Sequence, residues 1–347
     1  MNARAFQGLV LATLAAALAA IVLVRADQTS DATVTYKGVS AAPYGARASD
    51  VAGIHVETAD FTLTLAREGA RWVASDHGNF PARSSAVANL LTSLASMVLQ
   101  EPKTSRPDRY PEIGVEDRGP GARSTLYDFQ YSGGVKAGGV LIGKRSLSAS
   151  FDQQGATFIR RVGDSQAWLA KGAPNAAHDF SDWFDELPSV PATDIQGVQV
   201  LEDGKPVLKV ERGPEGRYVR ADGGATAIND TAVKRVAQAV TGSNFLDVRS
   251  ASAMGAASRQ IQLETADGVL DIFTGSIDNK VFVRFGGTAG GPAGALIRQT
   301  EGFAFLIPGY RLSGLTQTIA ELTTPEAEIA APPGAPLEMP APKSINP

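Results

Sequence analysis

The side chains in this sequence whose types could do chemistry are few and thinly spread. The three histidines, His55, His77 and His178, share no metal-ligand spacing such as H-E-x-x-H. His55 stands between Ile54 and Val56, an alternation that puts it on the solvent face of a strand. Carboxylates gather at Asp179, Asp182, Asp185 and Glu186. Two acids facing one cleft would suit a hydrolase, and several together could hold Ca²⁺. Their helical spacing around Trp183 and Phe184 reads instead as the solvated face of a short helix over 179–187. No G-x-S-x-G elbow offers a serine nucleophile. The absence of cysteine excludes disulfides, thiolate metal sites and cysteine nucleophiles. Residues 286–294, Gly-Gly-Thr-Ala-Gly-Gly-Pro-Ala-Gly, lack the Lys-Ser or Lys-Thr and the strand-to-helix setting of a phosphate loop. They are expected to form a flexible hairpin loop, as is the stretch from Gly133-Gly134 to Gly138-Gly139. No catalytic residue, cofactor or metal is assigned.

One cluster suits a partner better than a substrate. Lys103, Arg106, Arg109 and Tyr110 lie beside Glu101 and Glu112, on a connector stiffened by Pro102, Pro107 and Pro111. Cations around an aromatic could form a docking edge. The same groups could instead pin the connector across a sheet by local hydrogen bonds and ion pairs.

These residues are positioned by alternating strands and a few amphipathic helices. Ile54 and Val56, then Phe61, Leu63 and Leu65, then Trp72-Val73 alternate with polar residues as three strands. Phe80-Pro81-Ala82-Arg83-Ser84-Ser85 reads as a helix entrance with serine caps. Val87, Leu90, Leu91, Leu94 and Val98 follow at helical spacing. Further strands are expected at 126–129, 140–143, 158–162 and 167–169.

The pattern then starts over. Gly53-Ile54-His55-Val56 is echoed by Gly197-Val198-Gln199-Val200, and Arg71-Trp72-Val73 by Arg217-Tyr218-Val219. The helix face Val87, Leu90, Leu94 returns as Val233, Val236, Val240, capped by Asn229 or Asp230 and stopped at Gly242. Later, Ile159-Arg160 is matched to Ile297-Arg298, Ala167-Trp168-Leu169 to Ala304-Phe305-Leu306, and a closing helix recurs around 315–322. The expected fold is α+β: an N-terminal transmembrane helix, then two tandem repeats of a mainly antiparallel sheet with one main helix each. The boundaries are a membrane anchor at 1–25, a stalk at 26–50, a first repeat at 51–190, a second at 191–324 and a Pro/Ala-rich disordered tail at 325–347.

The anchor rests on residues 5–24, an uncharged run between Arg4 and Arg25. As a helix, a run of this length spans roughly 30 Å, the thickness of a bilayer's hydrocarbon core. Arg4 and the amino terminus favour N-in, with the body in the periplasm. Cleavage near Ala26 is the competing reading; it is disfavoured because the apolar stretch exceeds a signal peptide's core and Arg25 lies inside the proposed site. A net charge of −4 from 32 basic and 36 acidic residues argues against a nucleic-acid partner.

The first repeat resembles a bacterial family named as domain of unknown function 4340. The residues carrying the likeness are Trp72, Phe80-Pro81-Ala82, Glu101-Pro102-Lys103-Thr104 and Tyr110-Pro111-Glu112-Ile113-Gly114-Val115-Glu116. They continue through Leu141-Ile142-Gly143, Ile159-Arg160-Arg161, Trp168-Leu169 and Trp183-Phe184-Asp185. The likeness covers about 50–190 well and the second repeat weakly, where Leu246-Asp247-Val248-Arg249 replaces the Glu-Pro-Lys-Thr connector. It implies a single N-terminal anchor in the inner membrane, a periplasmic body, and genes commonly placed beside ABC-type export components like those of gliding motility. It carries over no catalytic residues. The expected function is a non-enzymatic accessory or scaffold subunit that works with ABC-type transporter subunits. The alternative is a periplasmic module binding cell-wall glycan or another polymer, which would line tyrosines such as Tyr110, Tyr127 or Tyr131 along one exposed sheet face.

Overall fold

A computed structural model describes residues 38–146, 155–224, 227–257 and 259–323. The expected anchor at 1–25 and tail at 325–347 lie outside the described residues. No helix among the described residues is long and apolar enough to cross a membrane.

The first unit runs β1 (Val51–Glu57), β2 (Thr62–Glu68), β3 (Arg71–Ala74), β4 (Phe80–Ala82), α1 (Ser84–Ser96), β5 (Val98–Pro102), β6 (Thr125–Tyr131), β7 (Lys136–Ser146), β8 (Ala156–Arg161) and β9 (Ala167–Lys171). The second runs β10 (Ile195–Glu202), β11 (Lys205–Arg212), β12 (Tyr218–Arg220), α2 (Asp230–Gln238), β13 (Asp247–Ser250), β14 (Arg259–Thr265), β15 (Gly268–Ile277), β16 (Lys280–Gly287), α3 (Gly291–Thr300), β17 (Phe303–Leu306), α4 (Gly309–Leu315) and α5 (Ile319–Thr323).

The described strands form two antiparallel sheets. Their orders are β4-β3-β2-β1-β6-β7-β8-β9-β5 and β12-β11-β10-β14-β15-β16-β17-β13. With β4 removed, the two orders coincide strand for strand. Period-two alternation sets the inner faces: Ile54, Val56, Leu63, Leu65 and Phe129 are buried in the first sheet, Val198, Val200, Leu208 and Val210 in the second. Helix α1 closes the first inner face through Val87, Leu90, Leu91 and Leu94, and α2 closes the second through Val233 and Val236. Both inner faces belong to one continuous apolar core.

Several expectations are corrected. Residues 38–50 of the expected stalk belong to the body. Gly38 donates to the Leu99 carbonyl and Leu99 to that of Val39, so this segment covers the outer edge of β5. Ala41 and Tyr44 are buried, with the Tyr44 ring edge-on to Phe129 at 4.9 Å. A small-residue stretch with one aromatic can satisfy an open strand edge as well as a linker, which composition alone does not distinguish.

Phe80-Pro81-Ala82 is the edge strand β4 and not a helix entrance. Pro81 fits an edge, where a missing N–H costs no ladder bond. The α1 N-cap is Arg83, without a side-chain cap. The second unit has more than one main helix, because residues 291–300 form α3 with Pro292 in its first turn. The expected hairpin loop at 286–294 is therefore the end of β16 followed by the start of α3. Ile297-Arg298 is helical, so the repeat equivalent of β8 is β16. The acidic stretch forms only the 3-10 turn Phe180–Trp183, and α2 ends at Gln238, before Gly242.

Candidate functional site

The two units meet where β4 and the turn before it abut the edge strand β13. In that turn the Ala74 carbonyl accepts from His77 N–H at 3.0 Å and Asn79 N–H at 2.9 Å. Gly78 has φ +70°, and a Cβ there would stand 2.9 Å from the Ser250 backbone nitrogen. A glycine is required on both counts, conformation and closeness. The Asp76 carboxylate accepts from Thr64 N–H at 2.9 and 3.0 Å, tying the turn to β2.

His77 projects from this turn into the junction and is only 6% exposed. Its Nδ1 lies 2.6 Å from Asp76 Oδ1 of its own unit, and its Nε2 lies 3.3 Å from Asp247 Oδ1 of the other. Asp247 also pairs with Arg249 at 2.9 Å. Arg249 Nη1 reaches back to the Asp76 carbonyl at 3.4 Å. A carboxylate on each ring nitrogen needs a proton on each, the doubly protonated imidazolium. Burial alone would lower the His77 pKa, but the hydrogen bonds and charges of Asp247 and Asp76 outweigh it and raise it to about 8. Asp76 and Asp247 are both held below the usual carboxylate value; burial opposes this, and their bonds to His77 prevail, with Thr64 helping Asp76 and Arg249 helping Asp247.

Beside His77 opens a cleft of about 760 Å³ drawn from both units. Phe61, Phe180 and Phe245 give it an apolar lining, and Asp60, His178 and Lys280 stand among its polar residues. Phe180 also packs on the His77 ring, centroids 5.0 Å apart. With both nitrogens engaged, His77 has no free lone pair for general base catalysis. The site is built to hold two surfaces in register.

Of the expected docking residues, Lys103, Arg106 and Arg109 are exposed along the connector and Tyr110 is not. Lys103 pairs with Glu101 at 2.7 Å and Arg106 with Asp108 at 2.8 Å. Arg109 lies exposed in the turn Pro107–Arg109. Tyr110 is withdrawn from the surface at 4% exposure. Its hydroxyl donates to the Ser165 carbonyl at 2.5 Å, with the Ser105 carbonyl 3.3 Å away, and the Arg160 guanidinium lies 4.4 Å from its ring centroid. Tyr110 therefore pins the connector, together with Val115, onto the outer face of β8 and β9. Among the carboxylates, Asp179 and Asp182 cap a 3-10 turn reciprocally. His55 bonds Thr64 Oγ1 at 3.2 Å.

Sequence reasoning missed His77 and Asp247. For Asp247 a usable signal was present, one residue out of register. Glu101 pairs with Leu169 and Asp247 with Leu306 across equivalent strands, so Glu101-Pro102-Lys103 corresponds to Asp247-Val248-Arg249. Each triplet carries its own acid–base pair. In the first unit residues 38–41 cover this edge; in the second the His77 turn does.

The fold and its junction define a class: a tandem of two equivalent α+β units fused head to tail through a phenylalanine-filled core. The chain belongs to the family described as Domain of unknown function (DUF4340), whose model matches residues 72–260. The match starts in β3 and runs through the junction into β14, so it takes in both His77 and Asp247. No curated protein and no solved structure matches.

Proposed function

We propose that this protein is a non-enzymatic accessory or scaffold subunit, held at the inner membrane by residues 5–24, with its body in the periplasm and an ABC-type transport system as its partner. The observation that carries the scaffold reading is the continuous core through both units. Two sheets joined through buried aromatics act as one rigid piece, and a rigid tethered body presents its faces at high effective concentration to neighbours in the membrane. The anchor rests on the sequence, and the transporter partner on the family likeness alone. The glycan-binding alternative is weaker. Tyr110 and Tyr127 are buried, in separate apolar clusters, and the Arg47 guanidinium covers the Tyr131 ring at 4.1 Å.

Crosslinking in intact membranes, followed by detergent extraction and mass spectrometry, tests the proposal. Recovery of transporter subunits on the body supports it. Recovery of the full-length chain from the cytosol, or of a membrane-bound chain with no transporter subunit crosslinked, overturns it.

A further inference from the structure

We propose that His77 is a proton-dependent latch between the two units: its imidazolium ties the turn before β4 to β13, and loss of one proton releases that turn and loosens the wall of the adjoining cleft. The geometry makes the bond pattern depend on charge. A neutral imidazole has one N–H and can serve only one of the two carboxylates. The other contact, at 2.6 or 3.3 Å, then becomes an acceptor facing an acceptor. Asp76 keeps its two contacts to Thr64 N–H, and Asp247 keeps Arg249. Neither carboxylate is stranded by the change. The contact inside the turn is the shorter of the two, so the remaining proton stays on Nδ1 and the bond lost is the one from Nε2 to Asp247, the histidine's bridge between units.

The charged neighbours come from each element packed around the ring. Asp76 belongs to the same turn, and Asp247 and Arg249 come from β13. The cleft wall adds Asp60 from the β1–β2 turn, His178 and Asp179 from the segment before Phe180, and Lys280 at the start of β16. No short contact joins His77 to these four among the described residues. The two carboxylates in contact therefore set its charge, with Arg249 opposing them from behind Asp247.

The release is local. Phe80, just past the turn, stays packed against Phe245, Phe303 and Phe305. The units remain joined while residues 75–79 loosen against β13. The sign follows from the raised pKa. The latch is complete below about 6.5, the ordinary histidine value, and is lost as pH rises through about 8. The two depressed carboxylates keep it intact on the acid side.

The test uses the full-length chain extracted in mild detergent. Hydrogen exchange of peptides covering 75–80 and 246–250 is followed from pH 6 to 9.5 and corrected for intrinsic rates. The expected result is a rise in opening on the order of tenfold across pH 7–9 in those peptides, with peptides from β14–β16 unchanged. In His77→Gln those peptides should be open at every pH. The ring's own titration, read by NMR on selectively labelled histidine, gives a measure that needs no variant. A His77 pKa at or below 6.5, or a wild-type exchange profile shared by His77→Gln, overturns the latch. Neither outcome bears on whether a transporter is the partner.

Discussion

Phe80, in the edge strand of the first unit, meets Phe303 in the second edge-on, with ring centroids 4.9 Å apart and planes at 77°. The same ring lies within 6 Å of Phe184, Phe245 and Phe305, so one side chain joins two sheets. Replacing it with alanine removes a large buried ring and is expected to cost about 3–5 kcal/mol. Because the ring spans the junction, the loss should also split unfolding. Calorimetry of Phe80→Ala should show two transitions where the wild type shows one.

Tyr110 and Arg109 are neighbours in sequence with opposite duties, which separates fold from docking in the connector. Tyr110→Ala exposes Arg160 and leaves the Ser165 carbonyl without its hydroxyl donor, so its thermal midpoint should fall by several degrees. Arg109→Glu should leave the midpoint within about a degree, since surface changes cost little. If the connector is the docking edge, Arg109→Glu alone should abolish the transporter crosslinks.

Gly143, which follows Leu141-Ile142 in β7, lies against the connector. A Cβ on it would fall 2.7 Å from Val115 Cγ1 and 2.9 Å from the Gly114 carbonyl. The connector thus lies directly on the β7 backbone. Gly143→Val should force it off at a cost of about 1–3 kcal/mol. Limited proteolysis would show it as new cleavage within 105–117 while both sheets stay resistant.

Trp183 is fully buried, yet its indole N–H has no hydrogen-bond partner among the described residues. Its contribution is then one of volume. Trp183→Phe should cost less than the truncation Trp183→Ala, which is expected at about 3–5 kcal/mol. Equal costs in urea titrations would show that the indole nitrogen matters after all.

Asp247 supplies the acid side of pH dependence. Its pKa is held below the ordinary value, so its stabilising share is present above about pH 4 and is lost as pH falls through the folded value. Asp247→Asn should destabilise the protein at pH 7 and flatten stability between pH 5 and 2. An unchanged acid limb in chemical denaturation would count against the His77–Asp247 bond.

Local periodicity determined much of this molecule. Alternation at Ile54, Val56, Leu63 and Leu65 named the inner face of the first sheet, and the return of the Val87–Leu94 pattern at Val233–Val240 exposed the duplication. Such signals are legible because side-chain direction repeats every two residues in a strand and every 3.6 in a helix. Tertiary structure decided what covers each edge and where charges meet. Residues 38–44 look like linker by composition, but they satisfy the β5 edge. His77 and Asp247 are 170 positions apart, and no local period links them. They become partners only because head-to-tail packing of two sheets sets the edge of one against the turn of the other, and a bond between sheets leaves no pattern along a single strand.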